Sequence, residues 1–377
     1  MYLQYKLKDL VSFGLGLTAT PHYVSSGIPF LSSKNISNDY IDFSDIKYIS
    51  KDDYIKASNS AKPRIGDILF TRVGSNLGHP VIVETNTPFI IFVSLGFLRT
   101  KSQCITNYYL LSWMNSDHFW KQVKSQIAGS SKFNLNIGWL EEFSISIPNI
   151  DEQTKVANML KLINQRIDTQ NKIIEDLQTL KISICDKVFE DTTYPEYKLK
   201  DVLSERIEKS NVNNQYEILS STIKGLFTQK EYFDKDIASS NNIGYKIVHL
   251  YDIIISPQNL WMGNITFNQR FTNGLVSPSY KIYIINNNFD MYYIANMLKT
   301  KRAMYKYICS SQQGASVVRR NLNMDDFLSL SFNIPDIIKQ RKIGLLLNTI
   351  DKRIDLEQTY LTKLNQQKKF LLKNMFI

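Results

Sequence analysis

The stretch "SISIPNIDEQTKV" (144–156) returns further along the chain as "SFNIPDIIKQRKI" (331–343). The recurrence belongs to a longer match. At a shift of 187, residues 134–190 align with 321–377 without a gap. "NLN" recurs at Asn134–Asn136 and Asn321–Asn323, Ile-Pro at Ile147–Pro148 and Ile334–Pro335, and "RID" at Arg166–Asp168 and Arg353–Asp355. The beginnings agree too: "YKLKDLVS" (5–12) and "YKLKDVLS" (197–204). Between like beginnings and like ends, similarity thins to points such as Gly78 with Gly263 and Gly129 with Gly314. The chain is two copies of one unit, and an internal repeat decides architecture before local propensity does.

Each repeated end reads as a helix. Val156, Leu160, Ile163, Ile167, Ile174, Leu177 and Ile184 follow a four-three spacing, the a/d seam of a coiled coil. Ile343, Leu347, Ile350, Ile354, Leu361, Leu364 and Leu371 repeat it. Polar breaks fall at matching places, Gln170 with Glu357 and Lys181 with Lys368. Ile-Pro ends a strand, and Asn149 or Asp336 can cap the helix that follows. Each helix should run roughly 40 residues, about 60 Å at 1.5 Å per residue. So narrow a stripe needs a partner, and the other copy can supply it, antiparallel, about an approximate twofold axis. The alternative is that each helix packs only on its own domain.

The middles read as mixed α/β. Strand-like runs are "GDILFTRV" (66–73), "HPVIVET" (79–85), "FIIFVSLGFLR" (89–99), "YDIIIS" (251–256) and "SYKIYII" (279–285). One helix stands in each middle, over 107–126 and 290–310. The expected division is 1–148 and 191–335 for two domains, with 149–190 and 336–377 for the helices.

Composition sets limits. The chain has 377 residues, 43% hydrophobic and 21% charged, with a formal net charge of +10. The last forty residues hold nine Lys and Arg against three Asp and Glu, so most of the excess lies there. A basic balance suits a polyanion partner. No apolar run reaches the ~20 residues that span a bilayer. Three cysteines without CxxC spacing and four histidines argue against a structural zinc site and suit reduced thiols in the cytoplasm. Nothing clusters for catalysis. GxGxxG, GxxxxGK[ST] and a serine nucleophile elbow are missing. "SPQNLW" (256–261) lacks the second proline of an adenine-methyltransferase motif.

The suggestive segments are loops. "TRVGSNLGH" (71–79) offers Arg72, Ser75, Asn76 and His79, and "GSSKFN" (129–134) offers Ser130, Ser131, Lys132 and Asn134. In the second copy Gln258, Asn259, Trp261 and Asn264 take the first place, and Arg319 and Arg320 the second. Arg and Asn are side chains that read guanine and adenine edges in the major groove.

The chain here resembles the specificity subunit of type I restriction-modification systems. Unlike middles each followed by a like helix, the run "GSSKFNLNIGWLEEFSISIPNIDEQTKV" (129–156) and "GDILFTRVGS" (66–75) carry the likeness. Lys339 where Glu152 stands, and "YDIIISPQ" in place of the Gly-Asp-Ile-Leu stretch, depart from it. The resemblance implies a non-catalytic, cytoplasmic subunit that reads a two-part target in double-stranded DNA, one half-site per recognition domain. It implies two methylation subunits, which bring S-adenosylmethionine, and motor-nuclease subunits; no cofactor or metal belongs to this chain. The alternatives are a coiled-coil scaffold joining two ligand-binding domains without DNA, or a cryptic nuclease.

Overall fold

The structure is a computed structural model that describes residues 2–37, 40–73, 77–127, 134–223, 225–233, 241–313 and 320–376. Two compact units divide it. One comprises Met1–Asn171 with Tyr360–Ile377, the other Lys172–Thr359.

The like beginnings and like ends are strands that pair. In the first unit Leu3–Lys6 lies antiparallel to Ser144–Ile147, with Tyr5 opposite Ile145. In the second, Glu196–Lys198 lies antiparallel to Ser331–Asn333, with Tyr197 opposite Phe332. The chain then turns identically, Leu7 N donating to Phe143 O and Leu199 N to Leu330 O, both at 2.9 Å. Repetition in the sequence therefore marks where each copy closes on itself.

Inside this closure stands one antiparallel four-stranded sheet per unit. The first is ordered Val11–Leu15, Leu95–Thr100, Ile68–Thr71, Pro80–Ile82. The second runs Leu203–Glu205, Lys281–Ile285, Ile253–Ile255, Ile265–Phe267. Residues such as Ile68, Phe70, Ile253 and Ile255 are fully buried, so the short apolar runs read correctly as core strands.

Two expectations need correction. The run 89–99 is not one strand but two. Ile90–Ile91 pairs in parallel with Ile28–Leu31 in another sheet, and Leu95–Thr100 starts after a turn in which Leu95 N bonds Phe92 O. Nor is either middle helix continuous. Asn107–Met114 stops before Asp117–Ile127, and Met291–Met297 before Lys301–Cys309. The cause is a hydroxyl at each break. Ser116 Oγ accepts from Phe119 N, and Thr300 Oγ1 from Ala303 N, restarting the helix in a new direction.

The long helices span Ile150–Phe189 and Ile337–Asn374. Asn149 Oδ1 caps the first by accepting from Glu152 N, and Asp336 Oδ1 the second from Ile338 N and Lys339 N. None of the fourteen seam residues is exposed. In the first unit Val156 and Leu160 share a cluster with Leu371, Leu372, Met375 and Phe376. A groove further along is lined by Gln170 and Tyr360, so one helix advances as the other retreats. In the second unit Ile184, Val188 and Phe189 share a cluster with Ile343 and Leu347, and Lys181 Nζ bonds both carboxylate oxygens of Asp351 at 2.6 and 2.7 Å. The two helices are thus antiparallel, and each unit holds the start of one and the end of the other.

Candidate nucleic-acid interface

In both units the strand leading to the first candidate loop begins at a turn through a residue of positive φ. Gly66 has φ 85°, its N–H donating to Val83 O. Tyr251 holds the same place with φ 70° and donates to Asn268 O. A left-handed tyrosine is uncommon. An aspartate follows in each case. The Asp67 carboxylate accepts from Arg64 N at 2.7 Å and from two nitrogens of Arg99 at 2.8 and 2.6 Å. The Asp252 carboxylate accepts from His249 N at 2.8 Å and from two nitrogens of Arg206 at 2.8 and 3.0 Å. Both carboxylates are buried, and forked arginine pairing of this kind holds a strand end rigidly. "YDIIIS" is therefore no departure in structure: it is the second copy's Gly-Asp turn. The arginine comes from a different place in each copy, Arg99 within the strand Leu95–Thr100 and Arg206 just past the strand Leu203–Glu205, which hides the equivalence from sequence.

The strands end at Thr71 and Ile255, where the loops start. Arg72 is half-buried. Its Nε donates to Leu135 O at 3.3 Å and its Nη1 to Val93 O at 3.2 Å, and burial lowers the guanidinium pKa. Its own carbonyl accepts from Leu135 N at 2.9 Å, and Val73 bridges Asn134. Arg72 thus staples the two candidate loops together, with its fork on backbone carbonyls. In the second unit Pro257 stands there, and its carbonyl accepts from Leu322 N at 3.4 Å. Each unit thus joins the start of its first loop to the residues at the end of its second, through Arg72 in the first unit and Pro257 in the second. Gly78 and Gly263 close the first loop of each copy with φ 72° and 91°.

The other predicted residues fall into three groups. Asn134 and Gln258 are exposed. His79, Asn259 and Trp261 are half-buried: the His79 N–H donates to Thr71 Oγ1, and the Asn259 carbonyl closes a turn by accepting from Met262 N and Asn264 N. Asn264 is buried, its amide donating to Ser221 O and accepting from Ser221 Oγ, both at 3.2 Å. Ser75, Asn76, Ser130, Ser131, Lys132 and Arg319 lie outside the described residues, as does the Arg320 side chain.

Sequence reasoning overlooked the hairpin of Leu219–Thr222 and Gly225–Thr228. Ser221 at its centre bonds Asn264 and Thr266, and Tyr280 Oη donates to Ser221 O, so this hairpin is fixed against the 256–264 loop. A glycine after "TIK" was the available signal. Also overlooked was Lys47, whose ammonium lies 4.2 Å over the exposed Tyr23 ring. Among the described residues no helix is long and apolar enough to cross a membrane.

Comparison with known proteins gives these loops a context. The family described as type I restriction modification DNA specificity domain matches residues 3–179. A Methanocaldococcus jannaschii protein assigned as the specificity subunit of a type I restriction enzyme, MjaX, is 25% identical, over 97% of this chain and 91% of its own. The MjaVIII specificity subunit from the same organism is 22% identical over 48% of this chain and 43% of its own. The crystal structure of a type I restriction-modification system S subunit from M. genitalium shares the fold at a TM-score of 0.63, with 14% identity, covering 100% of this chain and 96% of that one. With its doubled frame, paired helices and twinned loops, the chain is similar to type I restriction-modification specificity subunits over its length, and its residues 3–179 match their DNA specificity domain.

Proposed function

We propose that this chain reads a bipartite DNA sequence for a type I restriction-modification complex and itself performs no chemistry. Each unit reads one half-site, and the stretch between half-sites goes unread. One observation carries this reading. Two copies of one frame, with the same closure, sheet order and helix seam, present different residues at the same loop station, Arg72 in one and Pro257 in the other. A frame kept alike and loops made unlike suit a protein that reads two different words.

Lysines and arginines would meet phosphates and set register, while loop side chains such as Asn134 and Gln258 would reach base edges. Two methylation subunits dock on the chain, a motor-nuclease subunit joins them, and all double-stranded DNA chemistry belongs to these partners. S-adenosylmethionine is bound by the methylation subunits, which turn an adenine out of the stack.

The test is co-expression with a methylation subunit and mapping of methylated adenines by sequencing. The expected motif has two short specified parts around a fixed unread spacer. A contiguous motif, or the same motif without this chain, overturns the reading. DNA binding by the assembled complex should also fall steeply with salt, as counterion release requires.

A further inference from the structure

The repeated phrase that opens the sequence hides a side chain buried in both copies. Gln153 is 0% exposed and Gln340 2%. The Gln153 carboxamide donates to Cys104 O at 2.7 Å and Pro148 O at 2.9 Å, and accepts from Thr106 N at 3.0 Å. The Gln340 carboxamide donates to Pro335 O at 2.8 Å and accepts from Asp290 N at 2.9 Å. Each joins three things: the first turn of a long helix, the end of the closing strand, and the cap of the recognition domain's own core helix. Thr106 and Asp290 are those caps, accepting from Tyr109 N and Tyr293 N.

The surrounding contacts leave no slack. One turn on, the second long helix crosses its cap at Gly344, where an added Cβ would stand 2.1 Å from Asp290 Oδ1, and the matching Ala157 of the first is buried. Beneath the caps, Tyr109 packs on Phe376 at 5.3 Å between ring centres, and Tyr293 on Phe189 at 5.0 Å. Rotating either long helix against its domain would leave the carboxamide and its backbone partners buried and unpaired, a costly state.

We propose that Gln153 and Gln340 are positioning residues that hold each long helix at one angle to its recognition domain and so set how strictly the DNA spacer length is read. This rests on the reading given under Proposed function. Adding one base pair moves a half-site by about 3.4 Å and turns it by roughly 35°. A rigid joint cannot absorb that change; a loosened one can.

The experiment uses the chain assembled with its methylation subunit, on DNA carrying the mapped half-sites at the native spacer and at one base pair more or fewer. Gln153→Met keeps the length of the side chain and removes its three hydrogen bonds. It should raise methylation of the off-length sites, relative to the native site, at least tenfold, with both half-sites unchanged. Gln340→Met, losing two bonds in the other unit, should act in the same direction and serves if Gln153→Met does not fold. Val123→Ala, a buried truncation away from the joint, should lower the Tm while leaving spacer discrimination intact. Either glutamine variant keeping wild-type discrimination at a Tm lowered like that of Val123→Ala would assign the glutamines to stability alone. A wild-type complex with no spaced motif would instead overturn the functional reading, so the two failures are distinct.

Discussion

At Gly344 the helix has room for a hydrogen and nothing more. In an exposed helix interior, replacing glycine with alanine gains about 0.5–1 kcal/mol. Here the new methyl would meet Asp290 Oδ1 at 2.1 Å and Tyr293 N at 2.9 Å. The cap they form is worth about 1 kcal/mol, and overpacking costs roughly 1–3 kcal/mol more. Gly344→Ala should therefore destabilise the protein by about 2 kcal/mol, reversing the sign that propensity gives; denaturant unfolding measures it. Single residues were the hardest scale to read from sequence. Arg72 looks like a free base-reading arginine, but its carbonyl acceptors come from Val93 and Leu135, far along the chain. Gln153 and Gln340 are visible in the repeat, yet their partners at Thr106 and Asp290 lie in the divergent middles. Tyr251 conceals a glycine's place because the fold tolerates a left-handed tyrosine there.

Elements were more legible, since periodicity survives what surrounds it. The four-three spacing marked the seam of both long helices, and Asn149 and Asp336 cap them as the Ile-Pro-Asn and Ile-Pro-Asp strings suggest. The seam's lysine is held by Asp351, which spacing alone does not name. The broken middle helices escaped notice because Ser116 and Thr300 sit inside otherwise helical runs, and a hydroxyl caps or merely decorates according to the turn it meets. The first of these pairs carries a pH dependence. His118 Nδ1 lies 3.3 Å from the Trp113 indole nitrogen, so it accepts that proton and is itself unprotonated. Burial, and then Lys121, hold the imidazole below its ordinary 6.5. The unfolded chain therefore takes up a proton before the folded one does. The stability from neutral His118 is complete above pH 6.5 and is lost as pH falls below it. The Tm of the wild type should drop more between pH 7 and pH 5 than that of His118→Asn, which keeps an acceptor that does not titrate.

For the molecule as a whole, the proposed function makes helix length a ruler. Seven residues inserted at matching seam positions of both long helices preserve the heptad and add about 10 Å. At about 3.4 Å per base pair the recognised spacer should lengthen by near three base pairs, with both half-sites unchanged. Methylation mapping reads the result, and an unaltered spacer would end the ruler account. Doubling of the frame was plain in the sequence because both copies must make the same closure and seam. The reading surface was not, because its loops differ between copies.

The seating of Phe376 on Tyr109 also orders events during synthesis. The first recognition domain is translated before the second, yet residues 360–377 that complete it leave the ribosome after both. The second domain takes its ring from Phe189, already made when Tyr293 emerges, and is complete by Thr359. The domain begun first is thus finished last, and a nascent chain holds one mature reader while the other still waits for its tail.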